Sequence, residues 1–208
     1  MSIMQPIRNI ATALIAVFAV IAVSGNALAD GDAMTEDWSK LSKKKQTSLG
    51  LYMTAGQAHE HTINNMDKTL FIDTRTPSEL NYLGVATVMD AHVPLVFMDT
   101  TGWEEKKHRY LRADNKNFIA DVEARLKQKG LTKDDTVILM CRSGKRSAKA
   151  VNMLAAAGFT RVYSVVDGYE GDKAKEGENK GKRVVNGWKN SGLPWTYSLD
   201  KDLMYLTK

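Results

Sequence analysis

Two short apolar runs, Thr69–Asp73 and Thr136–Met140, each lead within a few residues into a helix-opening sequence, and this arrangement constrains the fold more than any other feature. The first reads as a short apolar run of strand type, and the second as the most convincing buried strand in the chain. After the first comes Thr76-Pro77-Ser78-Glu79: a cap, proline at the first helical position, and glutamate three residues after the cap. Thr54 and Gln57 have the same capping-box spacing and predict a helix over 55–64. Ala91-His92-Val93-Pro94 reads as a strand end, and Ile119, Val122 and Leu126 repeat at helical spacing before Gly130. A further helix from Arg146 to Ala157 presents Ala148, Val151, Leu154 and Ala155 on one face and stops at Gly158, and another strand covers 162–166. Strands alternating with helices predict an α/β domain with a central, mostly parallel sheet.

Composition narrows the class. Hydrophobic residues at 43% and charged residues at 25% exclude a disordered or polytopic membrane chain. The formal charge of +5 is spread along the chain rather than gathered into a patch, so no nucleic-acid partner is expected. Arg8 is the only charged residue before Asp30; the apolar run 10–23 and Ala27-Leu28-Ala29 complete the three parts of a secretory signal. The run falls short of the roughly 20 residues that span hydrocarbon. The expectation is a signal peptide over 1–29 cut after Ala29, giving a periplasmic or secreted protein with no membrane contact after cleavage. Residues 30–49 read as a polar, loosely packed lead-in, 50–196 as the folded domain and 197–208 as a tail packing back on it. The stretch 99–115 reads as a long polar loop, and 171–187, rich in Lys, Glu and Gly, as a solvated insertion.

Cys141 is the sole cysteine, which excludes a disulfide framework, a CxxC redox pair and a zinc knuckle within this chain. It opens the stretch Cys141-Arg142-Ser143-Gly144-Lys145-Arg146-Ser147, set between a buried strand and a helix. Open α/β sheets bind ligands at the carboxyl ends of their strands, where this thiol is placed. A turn at Gly144 would aim successive backbone N–H groups at the sulfur, and the following helix N-terminus adds partial positive charge. Together with Arg142, Lys145 and Arg146 these are expected to favour thiolate over thiol. The backbone amides rank first as anion holders, then Arg146 and Arg142, with Lys145 last, and the sulfur is expected to lie open to solvent at the mouth of the sheet. Other candidates carry less. His59 and His61 fall on different faces of their helix and make a poor metal pair. His92 reads as a packed histidine, and Trp103, Tyr169 and Trp188 as candidate pocket walls. Asp167, Glu170 and Asp172 lack the spacing of a calcium loop. No metal or cofactor is expected.

The sequence resembles the rhodanese-like domain family, the thiosulfate sulfurtransferase fold. The resemblance rests on the run from Leu70 through Asp73-Thr74-Arg75-Thr76-Pro77-Ser78-Glu79 to Leu80, and on Cys141-Arg142-Ser143-Gly144-Lys145-Arg146-Ser147. It continues through Ala155-Ala156-Ala157-Gly158-Phe159, Val166-Asp167-Gly168 and Gly187-Trp188-Lys189-Asn190-Ser191-Gly192-Leu193-Pro194-Trp195. It implies a three-layer α/β/α architecture and a catalytic Cys141 that carries sulfane sulfur as a persulfide. Arg142, Ser143, Gly144, Lys145, Arg146 and Ser147 are implied as the substrate-binding loop. The implied donor is thiosulfate or a similar small sulfur anion; the acceptor is an external thiol, cyanide or a protein, since the chain has no second thiol to resolve a persulfide. Phosphatases of this fold carry a loop one residue longer, so the loop length favours sulfur. A rhodanese-fold sulfur carrier or binding module with little turnover is the alternative. Asp73, Arg75 and Glu79 are implied to be structural, an ion-pair and hydrogen-bond set bracing the sheet, rather than catalytic. The sequence departs from the family at Gly84-Val85-Ala86, where a histidine is usual, and at Tyr169, where a second glycine is usual.

Overall fold

The two apolar runs lie side by side in parallel register, from Thr69 opposite Thr136 to Asp73 opposite Met140. The computed structural model describes residues 36–206. In chain order its elements are β1 (Tyr52–Met53), α1 (Ala55–Asn64), β2 (Thr69–Asp73), α2 (Pro77–Leu83), β3 (Val85–Ala86), β4 (Ala91–His92), β5 (Val96–Glu104), β6 (Arg109–Asp114), α3 (Phe118–Gln128), β7 (Thr136–Met140), α4 (Lys145–Ala156), β8 (Val162–Val165) and β9 (Trp195–Thr196). The central sheet has the order β1-β8-β7-β2-β4. Every pairing in it is parallel.

Alternate side chains of β2 and β7 serve opposite faces, and both faces are buried. Leu70, Ile72, Val137 and Leu139 pack with Phe118, Val122, Val151 and Leu154 of α3 and α4. Phe71, Ile138 and Met140 pack with Ala55, Ala58 and Leu80 of α1 and α2, and with Tyr169 and Trp188. This is the three-layer α/β/α arrangement, and it explains why the central strands are apolar throughout. Both capping boxes form. Thr54 and Thr76 accept from the amides of Gln57 and Glu79 at 3.2 and 3.3 Å, and the Gln57 and Glu79 side chains accept from the cap amides at 2.9 Å each.

Two expectations are corrected. The stretch 99–115 is not a loop: β5 and β6 form an antiparallel hairpin from Val96 opposite Asp114 to Glu104 opposite Arg109, with an irregularity between Asp99 and Trp103. Polar side chains suit a ribbon that is mostly open to water, and that polarity disguised it. The lead-in, described from residue 36, is not loose. Lys45 is buried with its ammonium 2.7 and 2.9 Å from the Asp172 carboxylate. The Ser48 amide donates to Asn152 at 2.8 Å. A buried ammonium requires such a partner, which fastens the lead-in to the 171–187 segment. That segment in turn is exposed yet folded, with β-bridges at Lys173 to Arg183 and Ala174 to Lys180. The tail rests on the domain through Leu199, Leu203 and Met204. Arg125 there donates to the carbonyls of Asp202, Leu203 and Met204 at 2.9, 3.3 and 2.9 Å. The expected signal segment lies outside the described residues. No described helix is long and apolar enough to cross a membrane.

Candidate active site

The chain turns at the carboxyl end of β7, and Cys141 is the first residue past it. The loop is held from one side by the segment following β8. The Tyr169 amide donates to the Cys141 carbonyl at 2.8 Å and the Glu170 amide to the Arg142 carbonyl at 3.0 Å. Gly168, at φ 69°, makes that approach possible, since a Cβ there would stand 2.5 Å from the Cys141 carbonyl oxygen and 2.6 Å from the Ser143 nitrogen. Gly144, at φ 84°, turns the loop into α4, where a Cβ would stand 2.1 Å from the Val166 carbonyl oxygen.

Among the described residues, none of the backbone amides from Arg142 through Ser147 donates a hydrogen bond to protein. Six successive unpaired donors, in a loop that begins at the thiol and ends in the first turn of a helix, form a cradle whose donors an anion can satisfy. Ser147 is spent on structure: its hydroxyl donates to the Gly144 carbonyl at 3.0 Å and accepts from Ser164 at 3.0 Å, and it lies 3.7 Å from the Cys141 sulfur.

The expected solvent-open sulfur is not what the fold presents. Cys141 is 1% exposed, closed over by its own loop and by the 167–170 turn that grips it. A reacting group must enter the cradle, and bulky reagents are kept out. Iodoacetamide is therefore expected to alkylate Cys141 far faster than a fluorophore-bearing maleimide does, each rate read by intact mass; equal rates would contradict a recessed thiol.

The loop cations divide. Arg146 makes a bidentate pair with Glu79 at 2.7 and 2.6 Å, which ties the structural Glu79 to the active loop, separately from the Asp73 and Arg75 pair. Burial works against the Arg146 charge, but Glu79, Cys141 and Asp73 hold its pKa above the usual arginine value. Arg142 faces Glu170 at 3.8 Å. Lys145 is exposed and lines a separate cavity of about 670 Å³ between the lead-in and the 171–187 segment, away from the cradle. Two cations went unrecognised in the sequence. Arg183, in the 171–187 segment, is near enough to feel both Arg142 and Cys141. Arg112, on β6, feels Arg146 and Arg142. Neither position carries a local sequence signal, because the fold alone brings these segments to the loop.

Glu79 sets a pH limit. Burial pushes its carboxyl up, but the Arg146 guanidinium and the Thr76 amide override this and hold it at about 2, against an ordinary 4.5. A depressed carboxylate adds stability that is complete above the unfolded value and disappears as pH falls toward the folded one. About 3 kcal/mol is therefore expected to be lost between pH 4.5 and 2. Urea unfolding should show Glu79→Gln weakened at neutral pH and flatter than wild type across that window; parallel profiles would contradict the pairing.

The remaining candidates have structural work. Tyr169 and Trp188 are buried core residues rather than pocket walls, whereas Trp103 lines an open cavity. Asp167 accepts from the amides of Ala55 and Gly187 at 2.9 and 3.1 Å, and Asp172 holds Lys45. His59 packs edge-on to Trp188, His61 lies beside Tyr163, and His92 is buried with Nε2 2.8 Å from the Arg75 carbonyl. Among the described residues no cluster of His, Cys, Asp or Glu could hold a metal ion.

The model of the rhodanese-like domain matches residues 56–175. An uncharacterized protein of Rickettsia conorii is 27% identical over 141 residues, covering 68% of this chain and 93% of the relative. Thiosulfate sulfurtransferase 16, chloroplastic, of Arabidopsis thaliana is 27% identical over 124 residues, covering 60% of this chain and 77% of its own. Among solved structures, Rv0390 from M. tuberculosis superposes with a TM-score of 0.54 at 29% identity, covering 70% of this chain and 96% of its own.

Proposed function

The chain belongs to the rhodanese-like domain family, and from that premise we propose that it is a sulfurtransferase that moves sulfane sulfur from thiosulfate, or a similar anion, to an external acceptor through a persulfide on Cys141. The observation that carries this reading is the row of six unpaired amides beginning beside the chain's sole cysteine. In the first half-reaction the Cys141 thiolate attacks the outer sulfur of thiosulfate. A sulfur–sulfur bond forms at Sγ, the bond within thiosulfate breaks, and sulfite leaves with its electron pair. The negative charge left on the terminal sulfur is held by the cradle, preorganised for charge that moves only about one bond length during the step. The recessed position keeps water from the persulfide. In the second half-reaction an external nucleophile takes the terminal sulfur and the electron pair returns to Sγ. The named thiosulfate sulfurtransferase among the relatives supports the donor class.

Exposing the protein to thiosulfate, weighing it intact and then adding cyanide tests the proposal. The expected result is a mass gain of one sulfur on Cys141, discharged by cyanide, with many turnovers of thiocyanate. A single discharge without turnover would make the protein a carrier, and release of phosphate from an aryl phosphate in place of sulfur loading would overturn both readings. The reading of 1–29 as a secretion signal belongs to the same proposal and puts the reaction outside the cytoplasm; N-terminal sequencing of exported protein, expected to begin at Asp30, tests it.

A further inference from the structure

We propose that the cavity between the β5–β6 hairpin and the first turn of α2 is the acceptor subsite, that its acceptor is an organic thiol bearing a carboxylate, and that Arg112 recognises that carboxylate. This rests on the sulfurtransferase reading above. The cavity has a volume of about 360 Å³, and its lining includes Met98, Trp103, Tyr110, Arg112, Glu79 and Arg142.

Arg112 is the decisive residue. Its neighbours each face a carboxylate: Arg109 has Glu104 at 2.6 Å, Arg146 has Glu79 at 2.6 Å and Arg142 has Glu170 at 3.8 Å. The Arg112 guanidinium makes no hydrogen bond or ion pair among the described residues, although it is partly buried. Glu79 is the acid that faces it, but both Glu79 oxygens are already taken by Arg146. Burial first, then Arg146 and Arg109, lower the Arg112 pKa to about 10. A guanidinium placed among like charges with no carboxylate of its own in hydrogen-bond contact is stabilised when an anion arrives, and its planar fork suits a carboxylate.

The apolar part of the lining fixes the kind of anion. Trp103 and Tyr110 meet edge to face with centroids 5.5 Å apart, and Met98 stands opposite Arg112 in the ribbon register. All three apolar side chains are exposed. A small inorganic sulfur anion has no body to cover such a wall, whereas an organic thiol does. Arg142 lines this cavity and is the residue after Cys141, so the cavity adjoins the loop that carries the sulfur. The step balances. The acceptor thiol passes its proton to the terminal sulfur of the persulfide anion and its own sulfur attacks that atom, a new sulfur–sulfur bond forms on the acceptor, the bond to Sγ breaks with its electron pair returning to Cys141 as thiolate, and the acceptor leaves as a persulfide carrying the proton.

Persulfide-loaded full-length protein discharged by mercaptosuccinate and by its uncharged counterpart 1-thioglycerol tests this, the readout being the ratio of their kcat/KM values. Wild type should favour mercaptosuccinate, Arg112→Gln should lower the ratio about tenfold, the order expected for one charge-assisted hydrogen bond, and Arg112→Lys should restore part of it. A ratio unchanged in Arg112→Gln overturns the subsite. Sulfur-free succinate, titrated by NMR into unloaded protein, reads the site without any transfer chemistry. Binding weakened about tenfold in Arg112→Gln supports the subsite, and equal or absent binding in both proteins overturns it. Failure of wild type to load from thiosulfate defeats the sulfurtransferase reading instead, on a separate measurement.

Discussion

Cys141→Ser is expected to abolish sulfur loading from thiosulfate, with the intact mass unchanged after incubation, while the protein remains folded. The hydroxyl that replaces the thiol is a far weaker nucleophile at neutral pH, and among the described residues none beside it is placed to act as its base: its side-chain hydrogen-bond partner is the Ser147 hydroxyl, 3.7 Å from Sγ and itself committed to the Gly144 carbonyl. No other thiol exists in the chain to substitute. Turnover should fall by several orders of magnitude, as when the nucleophile is removed from any site whose groups act as a unit. Stability should change by less than about 2 kcal/mol, because the hydroxyl inherits a neighbouring oxygen with which to hydrogen-bond. Loading that survived the substitution would remove Cys141 from the mechanism. A variant that neither loads nor melts cooperatively would leave circular dichroism to separate folding from chemistry, and Cys141→Ala then repeats the test without a buried hydroxyl.

Much of the fold was legible because its central strands obey local rules and its helices announce their starts. The apolar run Thr69–Asp73 is buried at every position, as a strand covered on both faces must be. The caps at Thr54 and Thr76 form as their spacing requires. Legibility failed where a segment's partner lies far away in sequence. Val96–Glu104 and Arg109–Asp114 stand away from the central sheet, so burial imposed no apolar alternation and the ribbon looked like loop. Lys45 looked like surface charge within Lys43-Lys44-Lys45, because its partner Asp172 is 127 residues distant.

The same division runs through the site. The cradle could be read because strand, thiol, glycine and helix are contiguous. Its covering could not. Gly168 and the Tyr169 amide, which hold the loop from above and recess the thiol, come from the far end of β8. Loop charges were legible as charges but not as pairs: Arg146 is spent on Glu79, which left Arg112 and Arg183, from two separate segments, as unrecognised contributors to the field around the loop. Tyr169, a departure from the family pattern, also finds its reason here. Its ring lies over the Arg75 guanidinium at 3.7 Å and its hydroxyl donates to the Leu83 carbonyl at 3.1 Å, while its amide grips Cys141.

Arg75→Met is accordingly expected to produce the largest loss of stability among the substitutions considered, and to reach the active loop from a distance. Arg75 and Asp73 are both fully buried, paired through Nε and Nη2 at 2.6 to 3.0 Å, with Nη2 also donating to the Gly84 carbonyl at 2.8 Å. Methionine fills part of the volume but leaves the Asp73 carboxylate buried without its counter-charge, a change that costs about 3–5 kcal/mol. For a domain of this size that lowers the melting temperature by roughly 10 °C. Removing the guanidinium also takes the support from beneath the Tyr169 ring, whose amide fixes the Cys141 carbonyl, so the rate of persulfide formation should fall even well below the melting point. Asp73→Asn combined with Arg75→Met removes both charges and should recover part of the stability, because what destabilises is the uncompensated carboxylate rather than the loss of the pair. The rate should not recover with it, since the platform under Tyr169 is still missing. A double variant that regained stability and loading rate together would show that the two effects share one cause, and a single variant melting with wild type would remove the buried pair from the account of what holds the loop.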